Sequence, residues 1–263
     1  MDQRISRPLN WAILTLFGLL GIGIGTVFDY LVGADKFPPF LFPRVEALGE
    51  AFAQRPLDWL KAVLFTTVMS AAAAIVSATI GTIMGAGASY LQLWSLDRWA
   101  QLIWSIPLIA IAVYLLLVVG FGWLYGLSLA VFLGFYPIEK HVFDTCSRPT
   151  EGMISLAAGF GLSRFQEFKF LRVPASLRTL GTALAQALPL CFIGETMGEY
   201  TSAQISSFSI GLGGFLRFAQ NNSEYSDLWV AILLMMFLVF ISGHTASLLW
   251  ERLVPQSELE AVR

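Results

Sequence analysis

The feature that most limits what this chain can become is a set of long stretches without a single charge. Leu9–Phe28 is one, Ala62–Leu96 a second, and Trp99–Ile138 a third, long enough for two crossings of a bilayer. Thr179–Gly194 is shorter and runs into Glu195 and Glu199, and Leu228–Trp250 holds one ionisable residue, His244. A helix needs about 20 mostly apolar residues to cross the roughly 30 Å hydrocarbon core. Splitting the longest run at Gly120-Phe121-Gly122-Trp123, where glycines and an interfacial aromatic signal a turn, gives an expectation of six membrane-spanning helices. Barrel strands would alternate apolar and polar residues, and these runs do not. Composition agrees: apolar residues are 56% and charged residues 13% of the 263, against about 25% charged in a soluble domain. The mean hydropathy is +0.69.

The expected fold is therefore all-α, a single polytopic membrane domain over residues 1–263. The first run exceeds the core of a signal peptide and has no clear small-x-small cleavage site before Asp29, so it is read as a retained anchor. Cys146 and Cys191 are too few for a disulfide framework and are expected to be structural thiols. A net charge of −2 argues against a nucleic-acid partner. Basic residues sort by side: Arg4, Arg7, Arg98, Arg148, Arg164, Lys169, Arg172 and Arg252 fall together if both termini are cytoplasmic, while Lys36, Arg44, Arg55 and Arg217 fall opposite. Prolines 38, 39, 43 and 56 exclude one long helix from the first outer loop, leaving Val45–Ala53 for a short surface helix. Gly81 and Gly85 have the small-xxx-small spacing that lets helix backbones approach closely, within the bundle or against a partner.

The segment Thr150–Pro174 is the most informative part of the chain. Ile154, Ala157, Ala158, Gly161, Phe165, Phe168 and Leu171 recur at three- and four-residue steps, the spacing of one helical face. Gly159 and Gly161 weaken or bend such a helix in its middle, and Pro174 is expected to stop it. An amphipathic helix or helix pair between two spans can lie at headgroup level or fill a groove on a partner.

This segment resembles the cytoplasmic loop of permeases from binding-protein-dependent ABC importers, which reads E-A-A-x-x-x-G with a hydrophobic residue and Pro about a dozen positions later. Here the register places Ser155, Leu156 and Ala157 at the triplet, then Ala158, then Gly161, with Val173-Pro174 closing the motif. Ser155-Leu156 stand where the family has Glu-Ala. Ser105-Ile106-Pro107 and Gly211-Leu212-Gly213 resemble stretches of the nitrate, sulfonate and taurine permease branch. The resemblance implies a permease that forms the pathway for a small solute, with small anions as candidates. It also implies a coupling helix that docks on a cytoplasmic ATPase through Ser155, Leu156, Ala157, Ala158, Gly161, Arg164, Phe165, Phe168 and Pro174. The implied partners are two ATPase subunits, a second permease copy (identical more readily than merely related) and a periplasmic or lipid-anchored substrate-binding protein, all at the bacterial inner membrane. ATP and Mg belong to the ATPase: this chain has no G-x-x-x-x-G-K-[ST] phosphate loop. No metal site or catalytic group is expected in it.

Glu195 and Glu199 stand one helical turn apart. A carboxylate in hydrocarbon is costly and usually faces a wet cavity or a bundle interior, so these two either line the pathway or mark a span ending near Gly194. His244 is expected to be hydrogen-bonded within the bundle, and Asp58 and Lys61 to mark the outer start of the second span. Two other classes remain to be weighed. A secondary transporter would show internal repeats, which are not visible here. An intramembrane protease would need Ser163 within reach of His244, yet Ser163 lies in the charged loop rather than in a span.

Overall fold

The computed structural model describes residues 30, 43–178, 180–203 and 211–253. Every regular element among them is helical. A short helix α1 (Val45–Gln54) is followed by a long α2 (Pro56–Tyr90), then α3 (Trp94–Trp104), α4 (Leu108–Val119) and α5 (Trp123–Ser147). After α6 (Glu151–Gly159) and α7 (Arg164–Glu167), a π-helical turn at Phe168–Arg172 leads into α8 (Val173–Arg178). The chain finishes with α9 (Leu180–Ser202), α10 (Leu212–Asn222) and α11 (Tyr225–Leu253). The expected surface helix at Val45–Ala53 is α1. Pro56 opens α2 at a position where its missing N–H costs nothing, and Asp58 in that first turn complements the helix dipole.

The chain divides into two compact units. One comprises residues 1–56 and 219–230, the other 57–218 and 231–263. In the first, Arg55 lies 3.8 Å from Glu224 and 3.7 Å from Asp227. The second holds the helices described below.

The six-span expectation is corrected by these helices. Among the described residues, Pro56–Tyr90 and Tyr225–Ala246 are long and apolar enough to cross a membrane. Two bent pairs raise the number to at most four if each is one crossing: Trp94–Trp104 with Leu108–Val119, bent by 93°, and Arg164–Arg178 with Leu180–Ser202, bent by 53°. The expected first span, Leu9–Phe28, lies outside the described residues. The physical reason for the difference is that an uncharged run fixes composition, not continuity. The run Trp99–Ile138 breaks at Gly120, as expected, where φ is +80°, but it also breaks at Ser105-Ile106-Pro107. Pro107 has no N–H to donate and disfavours helical backbone at Ile106. At 1.5 Å per residue, α3 and α4 are each under about 20 Å long. In α5, Glu139, Lys140 and Asp144 occupy the last part of the helix.

Packing in the second unit is organised by small residues. The most extensive helix pair is α5 with α9. The two run antiparallel, with Gly126 opposite Gly198, Ala130 opposite Gly194 and Gly134 against Cys191. A Cβ added at Gly194 would lie 2.6 Å from the Ala130 Cα, so the backbones touch. On another side of α5, a Cβ at Gly81 would meet the Phe135 carbonyl at 2.8 Å and one at Gly85 the Glu139 carbonyl at 2.5 Å. The Gly81/Gly85 spacing is thus used inside the chain, between α2 and α5. Where backbones meet this closely, dispersion between many atom pairs replaces the hydrophobic drive that lipid does not supply. Both thiols are buried and unpaired in disulfides, and Cys191 sits in a cluster with Ala73, Ala74 and Ala130.

Candidate functional site

The loop between α5 and α9 is built by two opposed capping devices. Thr150 caps α6, its hydroxyl oxygen accepting from the Met153 N–H at 3.4 Å. Gly161 ends the helix with φ +61°. The Leu162 N–H donates to the Ala157 carbonyl at 2.9 Å and the Gly161 N–H to the Ala158 carbonyl at 3.2 Å. This is the Schellman arrangement, in which a left-handed residue closes the last turn and glycine avoids the Cβ penalty. Two residues on, Ser163 starts α7 through a capping box. Its hydroxyl accepts from the Gln166 N–H at 3.4 Å, and the Gln166 Oε1 accepts from the Ser163 N–H at 2.9 Å.

The single apolar stripe expected along this segment is therefore divided between two helices. Ala157 turns inward with Met153, whereas Ser155, Leu156, Ala158, Gly161, Arg164 and Phe165 face outward. Phe160 is 77% exposed and Phe165 57%. Pro174 does not stop the helix, contrary to the expectation. The Val173 N–H donates five residues back to Phe168, and the wider π turn carries the chain into α8 with the proline inside the run.

Several loop residues are fastened to neighbouring helices rather than left for a partner's rim. The Arg164 guanidinium donates to the Tyr90 carbonyl at 2.7 Å, at the C-terminal end of α2, and lies 5.6 Å from the Tyr90 ring centre. The same ring meets Phe165 edge-on at 6.1 Å and Phe168 at 5.0 Å. Arg172 pairs with Glu167 at 2.6 Å and donates to the Cys146 carbonyl at 3.2 Å. Tyr90 was not singled out from the sequence, because nothing local to it signals the contact.

The second cluster surrounds Glu195 and Glu199. Helix α9 runs through both and on to Ser202, and both carboxylates are buried, Glu195 completely. Glu199 is held by two donors. The Thr66 hydroxyl donates to it at 2.7 and 3.0 Å, and the Gly213 N–H donates at 2.8 Å. The Thr66 oxygen in turn accepts from the Leu212 N–H at 3.0 Å. One carboxylate thereby ties α2 and the start of α10 to α9. Gly211 has no side chain to strike that carboxylate, which explains the Gly211-Leu212-Gly213 sequence at this turn. Glu195 differs. It faces Gly126 of α5, where an added Cβ would sit 2.8 Å from its Oε1, and among the described residues neither of its oxygens has a hydrogen-bond partner. Both carboxylates line a narrow cleft with Phe65, Gly122, Trp123, Gly126, Ser202 and Gly211.

Thr66 offers a direct test of this clamp. Thr66→Val keeps the shape but leaves Glu199 short of a donor and the Leu212 N–H without an acceptor. A buried polar group stripped of its partner costs about 1–3 kcal/mol. The expected result is a lower unfolding temperature of the purified protein in detergent, restored by Thr66→Ser.

The remaining sequence candidates fall elsewhere. His244 is exposed on α11 and stacks on Phe240 at 6.2 Å. Ser163 is engaged as a helix cap. Asp58 and Lys61 stand 3.8 Å apart in the first turns of α2. Among the described residues no group of three or more His, Cys, Asp and Glu could hold a metal ion.

Apolar helices locked glycine to backbone, carboxylates kept in the interior and a capped two-helix loop between α5 and α9 are the marks of a helical membrane transport component. Residues 77–257 match the family described as the binding-protein-dependent transport system inner membrane component, and the chain belongs to that family. The match begins within α2 and takes in the capped loop and both glutamates, while Phe65 and Thr66 precede it. A formylaminopyrimidine transport permease protein, ThiX, from Halalkalibacterium halodurans is 27% identical over 233 residues, covering 85% of this chain and 87% of that protein. A probable ABC transporter permease protein from Haemophilus influenzae is 25% identical over 226 residues, covering 83% and 88%. The chain is thus a permease-type membrane component of the ABC transporter superfamily, a transport domain rather than a catalytic one.

Proposed function

We propose that this chain forms the translocation pathway of an ATP-driven importer for a small solute, and that residues 150–174 couple it to a cytoplasmic ATPase. The observation that carries the reading is the capped loop. It presents exposed Leu156, Phe160 and Phe165 on a framework fixed at Gly161 and bonded through Arg164 to the end of α2. Displacing such a loop would move α2 and, through Arg172 and Cys146, the end of α5. In this reading two copies of the chain, identical to one another, share two ATPases that bind ATP and Mg, and a binding protein delivers the solute from outside. Both termini face the cytoplasm. In this reading Glu195 and Glu199 lie along the route, and their burial around a narrow cleft supports a role for them beyond packing.

For the solute, the likeness to nitrate, sulfonate and taurine permeases favours small anions, while the formylaminopyrimidine permease favours an amino-substituted heterocycle. The decisive experiment is co-expression with a candidate ATPase subunit, purification, native mass measurement and solute uptake by proteoliposomes. Two permeases and two ATPases per particle, with uptake that requires ATP hydrolysis, are the expected outcome. Uptake that continues without any ATPase would overturn the assignment, and a one-permease particle that still transports would overturn the dimer.

A further inference from the structure

We propose that the cleft between α5 and α9 is a subsite for a cationic or amino-bearing group of the translocated solute, with Glu195 as its hydrogen-bond acceptor and Glu199 as a second carboxylate. This rests on the reading that the cleft lies on the pathway, and it adds the chemical class that the cleft selects.

Three observations converge on it. Glu195 is 0% exposed, and neither of its oxygens is hydrogen-bonded among the described residues. Buried polar atoms in folded proteins almost always have partners, and an exception calls for a ligand or a water to complete it. The cleft that Glu195 lines is also one-signed. Its walls bring Glu195, Glu199, Ser202, two aromatic rings and glycine backbone, and no Lys, Arg or His is among the lining residues. Nitrate or a sulfonate entering there would meet carboxylate oxygens and no fixed positive charge. An ammonium, or the amino group of a heterocycle, would supply the donor that Glu195 lacks, beside the rings of Phe65 and Trp123, whose π faces attract cations.

The two carboxylates also divide the work. Glu199 is already satisfied by Thr66 and Gly213, so it contributes position. Glu195 retains its acceptor capacity. Space sets the scale: about 10 Å³ of the cleft admits the centre of a water-sized group, near the lower limit for one water molecule. In this conformation the cleft therefore fits one amino group rather than a whole solute, and the rest of the solute must lie along the opened route.

The test uses thiol-reactive probes of opposite charge on the full transporter with its ATPases in proteoliposomes. Cys146 and Cys191 are replaced by alanine, and Ser202→Cys places one thiol in the cleft with both glutamates intact. Phe65→Cys provides a second reporter from α2, should the first variant fail to assemble. Modification rates are measured with methanethiosulfonate ethylammonium and with its ethylsulfonate counterpart, each normalised to a free thiol, at rest and during ATP hydrolysis. A one-signed site raises the local concentration of its counter-ion by about tenfold or more. The cationic reagent is expected to react at least about tenfold faster, and Glu195→Gln should reduce that ratio about threefold or more. Equal rates, or faster reaction of the sulfonate, would overturn the subsite while leaving the pathway reading in place. Reaction with neither reagent at either position, even during hydrolysis, would show that the cleft is off the route and remove both.

Discussion

Gly198→Val is expected to abolish accumulation of folded protein in the membrane. Gly198 faces the Gly126 backbone so closely that even a methyl group would overlap its Cα, and the Gly126 nitrogen lies 3.0 Å from the same point. The obstacle is backbone, not the tip of a side chain, so nothing can rotate out of the way. The helices would have to separate, and the neighbouring contacts of Gly194 with Ala130 and of Gly134 with Cys191 would separate with them. Overpacking a core costs about 1–3 kcal/mol where side chains can shift, and parting two backbones stands at or beyond the top of that range. The readouts are membrane yield and a monodisperse elution profile in mild detergent. Gly87→Ala is the matched control. It lies in α2, and among the described residues nothing lies within 4 Å of its added Cβ, so alanine should be neutral or raise stability by up to about 1 kcal/mol. Equal yields for Gly198→Val and the control would mean that α5 and α9 are not in backbone contact.

Gly161→Glu is expected to leave the protein folded and inserted while uncoupling it from ATP hydrolysis. Two effects combine at this position and can be separated. Any side chain other than glycine or asparagine strains the φ of +61°, by about 1–2 kcal/mol. A carboxylate buried at an interface without a partner costs several kcal/mol more, and about 3 kcal/mol corresponds to more than 100-fold in affinity. Gly161→Asn, which tolerates left-handed backbone, should retain ATPase binding and coupled hydrolysis. Gly161→Ala should lose a little of both, and Gly161→Glu nearly all. Among the described residues nothing lies within 4 Å of a Cβ at Gly161, so loss on Gly161→Glu with retention in Gly161→Asn would locate the contact on a partner. Full retention of ATPase binding and coupled hydrolysis in Gly161→Glu would remove residues 150–174 from the coupling role.

The loop shows how far local signals reach. Gly161 was visible as a helix interruption, and the structure gives it a specific task as the left-handed residue of a Schellman turn. Ser163 and Gln166 spell a capping box that could have been read directly from their spacing. The exposure of Phe160 and Phe165 was less legible, because the stripe of Ile154 to Leu171 assumes one continuous helix and the Gly161 turn rotates the second half away from the first. Pro174 misled for a related reason: its stopping power holds in regular α-helix, and the π turn before it removes the conflict.

What the sequence determined by itself was local and compositional: helical structure, long apolar runs, the break at Gly120, a short helix at Val45–Ala53 and the loop motif that points to the family. Charge-free length and small-residue spacing are one-dimensional quantities, readable without knowing what packs against what. Only the three-dimensional structure decided where those runs break into helices too short to cross a membrane, because charge-free length does not fix helix continuity. The same holds for Glu199 and Glu195, one turn apart and alike in sequence. Thr66 and Gly213, 133 and 14 residues away along the chain, satisfy one of them and leave the other with its hydrogen-bonding capacity unused, a difference that arises only where distant segments meet.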